Sequence, residues 1–517
     1  MVGERKTHLP LENVEGREPK RCMDRKPLEK VVSGSIYLSL DLLLSSGLGA
    51  LFWFLVAKIV PPDEVGMAST AISFLTTLNV LSSLGLPVAI SKYVSEYNAQ
   101  GKVDLSRFAL KFSTRVGLGV SLFVSASLFA LSGQISSFIY GLPKLQPIMI
   151  LAAFLIPFQI LLSFYNSCYQ GCQVMQFCLI GDIIVAISKL VTVPFLVLYL
   201  GLMSYGIVLA FAIGLILASL TGYLFLVPRG MPKSQNKPSP QELKEIKRGI
   251  LAFSFPNYIA GVAGTFSLQF GLMLLGVYSM ASVAYYNLAF LISSILMGIT
   301  GSVASALLPT VSEQWATGSR NAISKLLSTV VRLSLAVSSP FLLGALIFPA
   351  EVLSLISKPY ATASLPLQIL ALSVFFGALG LSATSVLNGI GNARSAMMAT
   401  LISSFGSIAV TSVLVPVQGM VGAALGILAG YILRVSAGIL FLRMEGIGLE
   451  RESVLKPSIC TVISFAAGSF LYSLLGNFFI VFAVVAIIYL ASARLIGAIS
   501  LEEVKFLIKA PLGKKQD

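Results

Sequence analysis

A few charged residues set inside apolar runs are the part of this sequence that could do chemistry. In "GDIIVAISKLVTVP", residues 181 to 194, Asp182 and Lys189 interrupt a stretch otherwise apolar enough for lipid. Seven residues at about 100° each fall within about 20° of two helical turns, so both side chains share one helix face. Along the axis they are about 10.5 Å apart, too far for direct pairing, because bonded neighbours on a helix stand three or four residues apart. Each therefore needs a partner on another helix, or water.

Asp41 lies about ten residues into an earlier apolar run and Arg434 about fourteen into a later one. The depths are similar, and two acids and two bases are expected to line one chamber. A lipid-facing charge costs about 2.5 to 3.5 kcal/mol near a helix centre, and a water-filled cavity removes most of that. Within such a chamber Arg434 suits a phosphate bidentately and Lys189 suits it as a point charge. Asp41 and Asp182 could carry a coupling proton or sodium ion. The plain alternative is structural glue, in which the charges only tie helices together.

The elements that must position these charges follow from composition. Of the 517 residues, 56% are hydrophobic and 11% charged, and mean hydropathy is +0.88. Soluble domains run near 25% charged, so this is a membrane protein. Its apolar blocks reach about 20 residues or more, enough to cross roughly 30 Å of hydrocarbon as helices. They lack the period-two alternation of a membrane barrel, so the expected fold is an all-α polytopic membrane protein. About fourteen spans are read: 31–57, 65–90, 108–132, 147–168, 176–200, 203–227, 249–277, 283–309, 326–349, 363–388, 395–417, 420–443, 455–475 and 477–497.

Lysine and arginine set the expected orientation, since loops on the cytoplasmic side carry them in excess. With the N-terminus inside, all 36 basic residues fall on that side except Lys58, Lys144 and Lys358 outside and Lys189 and Arg434 within spans. The formal charge of +14 then reflects this bias and contact with anionic membrane lipids, and nucleic acid is a poor reading of it. Both termini are expected in the cytoplasm, with the chain in the plasma membrane. Arg115, Arg332 and Arg394 lie near cytoplasmic span ends, where they could draw an anion toward an inward-facing mouth or simply serve the orientation bias. Lys58 reads as an interfacial anchor, with substrate contact as the alternative.

Residues 1–30 are polar and lack the apolar core of a cleaved signal. They read as a disordered cytoplasmic tail, and Met23, which leads "DRKPLEKVV", is an expected alternative start. Cys168, Cys172 and Cys178 cluster at a cytoplasmic span end, where thiols stay reduced, and with His8 alone among histidines no zinc pattern forms. Enzyme chemistry finds no support: loops 133–146 and 350–362 hold Glu351 as their only acid, and no phosphate loop, triad or metal cluster occurs. "GIGNAR", 389–394, carries too few glycines for a nucleotide site. Pro157, Pro194, Pro256, Pro309 and Pro340 interrupt spans and are expected bend points.

The chain also repeats itself. "YVSEYNAQG" at 93–101 aligns with "TVSEQWATG" at 310–318, bringing Ser95 and Glu96 onto Ser312 and Glu313. Gly171 in "YQGCQ" aligns with Gly389 in "LNGIG", and "YGIVLAFAIG" at 205–214 with "VGAALGILAG" at 421–430. Six spans per copy is an even number, so the copies are parallel, with a substrate site expected between them. The expected organisation is a tail (1–30), an N-lobe (31–227), a basic linker (228–248), a C-lobe (249–443), an extra helix pair (455–497) and a tail (498–517).

Two six-helix lobes, a basic central loop and two further spans resemble the multidrug, oligosaccharidyl-lipid and polysaccharide (MOP) exporter superfamily. The segment 55–97, with Asp63, Glu64 and Gly66 in the turn after the first span and Leu84 to Leu86 before a polar loop, is similar to polysaccharide-biosynthesis flippases. That resemblance implies a carrier, without ATP hydrolysis, that moves lipid-linked oligosaccharides from the cytoplasmic to the outer leaflet. Polysaccharide-synthesis enzymes are implied partners, and no cofactor beyond a possible coupling H+ or Na+ is expected. A cation-coupled multidrug exporter and a peptidoglycan-precursor flippase are the neighbouring readings.

Overall fold

The computed structural model describes residues 27–227, 239–305, 307–316 and 319–498. Met1, His8, Cys22 and Met23, residues 228–238 of the linker and the tail after Ala498 lie outside the described residues. Every regular element among the described residues is helical. The first part runs α1 (Pro27–Ile59), α2 (Pro62–Ser83), α3 (Leu86–Ala99), α4 (Val103–Gln134), α5 (Gln146–Gly171), α6 (Gln176–Pro194) and α7 (Met203–Thr221). The second runs α8 (Pro240–Tyr278), α9 (Met280–Ser305), α10 (Leu307–Ala316), α11 (Arg320–Ile347), α12 (Pro349–Ser354), α13 (Ser364–Gly389), α14 (Ala393–Gln418) and α15 (Met420–Met444). A last pair, α16 (Arg451–Leu475) and α17 (Phe478–Leu495), completes the order.

Thirteen helices are long and apolar enough to cross a membrane, and α1 adds the shorter apolar run Leu44–Ile59. The succession of crossings defines two faces, here called proximal, where α1 begins, and distal, where it ends at Ile59.

Two helices stand where the sequence reads as the ends of the spans 65–90 and 283–309 and the polar loops that follow them. In α3, Leu86, Ala89, Ile90 and Val94 are buried at helical spacing and pack on Leu105, Ala109, Ile160 and Phe164. Leu307 and Val311 of α10 do the same against Leu387 and Ile390. Both are amphipathic and too short to span, so a search for long apolar blocks passes over them. Part of the basic linker is also helix. Ser239 caps α8 reciprocally, accepting from the Glu242 N–H at 3.3 Å while its own N–H donates to the Glu242 carboxylate at 3.0 Å. The span begun at 249 therefore starts about ten residues earlier, at Pro240.

Packing differs between the two faces. Toward the distal face one apolar cluster joins both parts, with Ala68, Ala71 and Met149 from the first and Leu275, Val283 and Ala284 from the second. Gly66 makes this closeness possible, because a Cβ there would overlap the carbonyl oxygen of Met280. The Tyr140 hydroxyl donates to the Met273 carbonyl at 3.1 Å, and the same ring lies over Gly276. Toward the proximal face the clusters separate. One is built from α3, α4 and α5 with Ile246 and Ile250 of α8, the other from α10, α11, α13 and neighbours. There α8 is the bridge: the Tyr258 hydroxyl donates to the Leu81 carbonyl at 3.0 Å.

The last pair is fastened to α11 and α12. The Thr461 hydroxyl donates to Ser339 Oγ at 2.9 Å, the Tyr489 hydroxyl to the Ala336 carbonyl at 3.1 Å, and the Tyr472 hydroxyl to the Glu351 carboxylate. Of the span prolines, Pro157, Pro194 and Pro340 sit inside α5, α6 and α11. Pro194 opens directly into a wide π-turn, Phe195–Tyr199.

Candidate functional site

The intramembrane charges fall into two groups, one in each part of the chain. In the first, α1 packs along α6 and brings the Asp41 and Asp182 side chains beside each other. Two neighbouring carboxyl groups can hydrogen-bond each other only when one holds a proton, because two carboxylates have only acceptors. Ser45 Oγ, one turn on, donates to Asp41 Oδ1 at 3.0 Å. From α5, Asn166 Nδ2 donates to both Asp182 oxygens, at 3.3 and 3.5 Å. Asp182 thus finds its partners on other helices, as the seven-residue spacing from Lys189 requires.

Lys189 takes a different course. Its side chain is only 9% exposed, and its ammonium lies over the Phe52 ring at 5.1 Å and the Phe211 ring at 4.7 Å. Two aromatic faces stabilise the charge where no carboxylate stands within 4 Å among the described residues.

Arg434 belongs to the second group. It projects from α15 over Gly380 of α13, where a Cβ would come within 3.1 Å of the arginine stem. Its Nη2 donates to Thr384 Oγ1 and to Thr400 Oγ1, each at 3.4 Å, while Nε is buried without a partner among the described residues. Both bonds are long, and a guanidinium has five N–H donors to satisfy. Beside it lies a cavity of about 240 Å³ between α8, α14 and α15, ringed by the hydroxyls of Thr265, Ser267, Thr400, Ser403, Ser404 and Ser407.

One chamber lined by two acids and two bases is therefore not what the structure holds. Among the described residues the Arg434 cavity takes no lining residue from α1 or α6, and Asp41, Asp182 and Lys189 form their own group. Distance along a helix gives height in the membrane, whereas the direction a side chain faces depends on which helices pack together.

The other candidates lie at the edges. Lys58 is exposed in the last turn of α1, Arg115 is exposed on α4 and Arg394 is exposed at the start of α14. Arg332 donates to the Ala498 carbonyl at 3.3 Å and lines a small polar cleft with Glu450, Glu452, Ser453 and Lys456, so it faces the last helix pair rather than the Arg434 cavity. Among the described residues, Cys168, Cys172, Cys178 and Cys460 form no disulfide and no group of three or more His, Cys, Asp or Glu side chains could hold a metal.

Asn166 and the hydroxyl ring were not singled out from the sequence. The ring did leave a trace, since Thr400, Ser403, Ser404 and Ser407 stand at offsets of three, four and seven, all on one face of a helix.

A family model described as polysaccharide biosynthesis protein matches residues 31–315, more than half of the chain. The chain belongs to that family. A second model, MatE, matches residues 258–413. Stage V sporulation protein B of Bacillus subtilis is 24% identical over 434 residues, covering 78% of this chain and 81% of that protein. An uncharacterized membrane protein of Methanocaldococcus jannaschii is 23% identical over 481 residues, covering 89% of this chain and 94% of the relative. Among solved structures, the lipid II flippase MurJ in an inward closed conformation matches with TM-score 0.72 at 18% identity, covering 92% of this chain and 99% of that one. An inward-facing multidrug resistance transporter of the MATE family matches with TM-score 0.61 at 15% identity, covering 80% and 98%. This polysaccharide biosynthesis family member is thus a multi-pass membrane protein that shares its fold with the solved lipid II flippase and MATE transporter.

Proposed function

We propose that this transporter is a flippase for polyprenyl-(pyro)phosphate-linked oligosaccharide precursors, carrying the polar head from the cytoplasmic to the outer leaflet by alternating access. The observation that carries the reading is the sealed distal face above a hydroxyl-ringed interior cavity with an arginine in its wall. A sugar head group cannot cross hydrocarbon unaided, and hydroxyls with a guanidinium replace the water it leaves behind. Its tail need never leave the lipid. An apolar groove of about 520 Å³ between α11, α13 and α16, lined by Leu342, Leu346, Leu372, Phe375 and Phe465, suits such a tail. The charge bias supports a cytoplasmic proximal face in a plasma-membrane protein, with the cavity loaded from inside.

The Asp41–Asp182 pair is the proposed seat of a coupling proton or sodium ion, with Asn166 and Ser45 orienting it. Rocking of the two parts about the distal contacts would then alternate the openings. A second reading, a cation-coupled multidrug exporter, is favoured by the MatE match and by the same acid pair. A peptidoglycan-precursor flippase is a third, suggested by the likeness to the lipid II flippase.

Reconstitution in vesicles with leaflet-specific labelling tests the proposal. Protein-dependent exchange of a lipid-linked oligosaccharide supports it. Efflux of cationic dyes with no exchange of any such lipid overturns it in favour of the exporter.

A further inference from the structure

The Arg434 cavity deepens the flippase reading, and the ligand class assigned to it rests on that reading. Among the described residues, Arg434 is the only charged one in its wall; every other polar side chain there is a hydroxyl, from serine, threonine or Tyr431. A pocket built for a cation would offer carboxylates. This one offers donors. Thr265, Ser403 and Ser407 make no hydrogen bond among the described residues, so their hydroxyls can turn toward a ligand. Ser267, Thr400 and Ser404 donate to carbonyls of their own turns at 2.9 to 3.0 Å, bonds that a rotating hydroxyl can exchange for a ligand oxygen.

The guanidinium itself points to an anion. Two long bonds to threonines and a buried Nε without a partner leave most of its donors unspent, and no carboxylate stands within 4 Å of it among the described residues. A charge held inside a membrane protein is normally paired, and here the missing partner is a ligand. An arginine fork matches phosphate oxygens bidentately.

Charge count then separates two classes of lipid carrier. One cation balances the single negative charge of a phosphodiester. A pyrophosphate diester brings a second charge, and the other basic residue set within a span, Lys189, is enclosed by Phe52 and Phe211 and takes no part in the cavity wall. We infer that the Arg434 cavity binds the phosphate of a glycolipid whose sugar is joined to its polyprenol through one phosphate, in preference to a pyrophosphate-linked one.

The test uses the full chain in lipid nanodiscs and four probes: a short-chain polyprenyl monophosphate glucose, the matching pyrophosphate, a neutral glucosyl lipid and inorganic phosphate. The monophosphate lipid should bind at least tenfold more tightly than the pyrophosphate and neutral lipids, with inorganic phosphate a weak competitor. Arg434→Gln should remove the preference, and Arg434→Lys should restore part of it. Should Arg434→Gln fail to fold, Ser403→Ala with Ser407→Ala keeps the charge and should weaken the monophosphate lipid several-fold. Equal or tighter binding of the pyrophosphate lipid overturns the inference, as does an affinity that Arg434→Gln or the double alanine variant leaves unchanged. Inorganic phosphate binding as tightly as the lipid would make this a free-phosphate site and overturn it as well. In vesicles, leaflet exchange that prefers the pyrophosphate lipid sinks this inference alone, whereas no exchange of either lipid sinks the flippase reading beneath it.

Discussion

Replacing Gly66 by valine should pry open the distal face. Gly66 sits in the second turn of α2 with the backbone of Met280 directly against it, so any Cβ collides with the Met280 carbonyl oxygen and lies 3.1 Å from its Cα. The colliding atoms are backbone, which cannot rotate away, and the only relief is to move α2 off α9. Overpacking a close contact costs about 1 to 3 kcal/mol. Because α2 and α9 belong to different parts of the chain, that cost falls on the distal-closed state alone. At about 1.4 kcal/mol per decade, the closed-to-open ratio should drop by roughly 5- to 150-fold. Spin labels at Lys144 and Thr362, both exposed near the distal face and one in each part, would report the change as a longer distance component. Alanine should produce the same shift in smaller degree, since the Cβ clash is common to both. A folded Gly66→Val protein with the wild-type distance distribution would refute the assignment of this contact as the seal.

Three further outcomes are expected. Asp182→Asn keeps the Asn166 contact and removes the group that can share a proton with Asp41, so transport should lose its dependence on pH or sodium; an unchanged dependence in vesicles would exclude the pair from coupling. Gly380→Ala places a methyl about 3.1 to 3.4 Å from the Arg434 stem and should weaken anion binding several-fold with the charge intact, measured as a phosphate-lipid affinity. Tyr472→Phe leaves the Glu351 carboxylate without that hydroxyl, costing about 1 to 3 kcal/mol and lowering the thermal midpoint, with no effect on ligand affinity because the contact lies at the distal end of the last helix pair.

Most of the architecture was legible in the sequence. Apolar runs long enough to span can be counted directly, and the transmembrane helices appear where those runs lie. The short α3 and α10 were not legible as apolar blocks, because each buries only one stripe and its length suits the surface rather than the bilayer. The site was legible in part. Asp41, Asp182, Lys189 and Arg434 stand out because charge in a span is costly, whereas Asn166, Gly380 and the serine-threonine ring blend into a composition rich in small polar residues.

Hydropathy and charge along the chain determined the class: an all-helical membrane protein whose buried charges require partners away from their own helix. Which partners they meet was decided only in three dimensions. Asp182 and Lys189 share a helix face, yet one meets a second carboxyl from α1 and the other rests on two phenyl rings. Arg434, at a matching depth, meets neither, and faces a hydroxyl-ringed cavity in the other part of the molecule. Desolvation acts on each residue by itself and so can be read along one dimension, but pairing depends on the packing of helices hundreds of residues apart, which linear spacing does not encode.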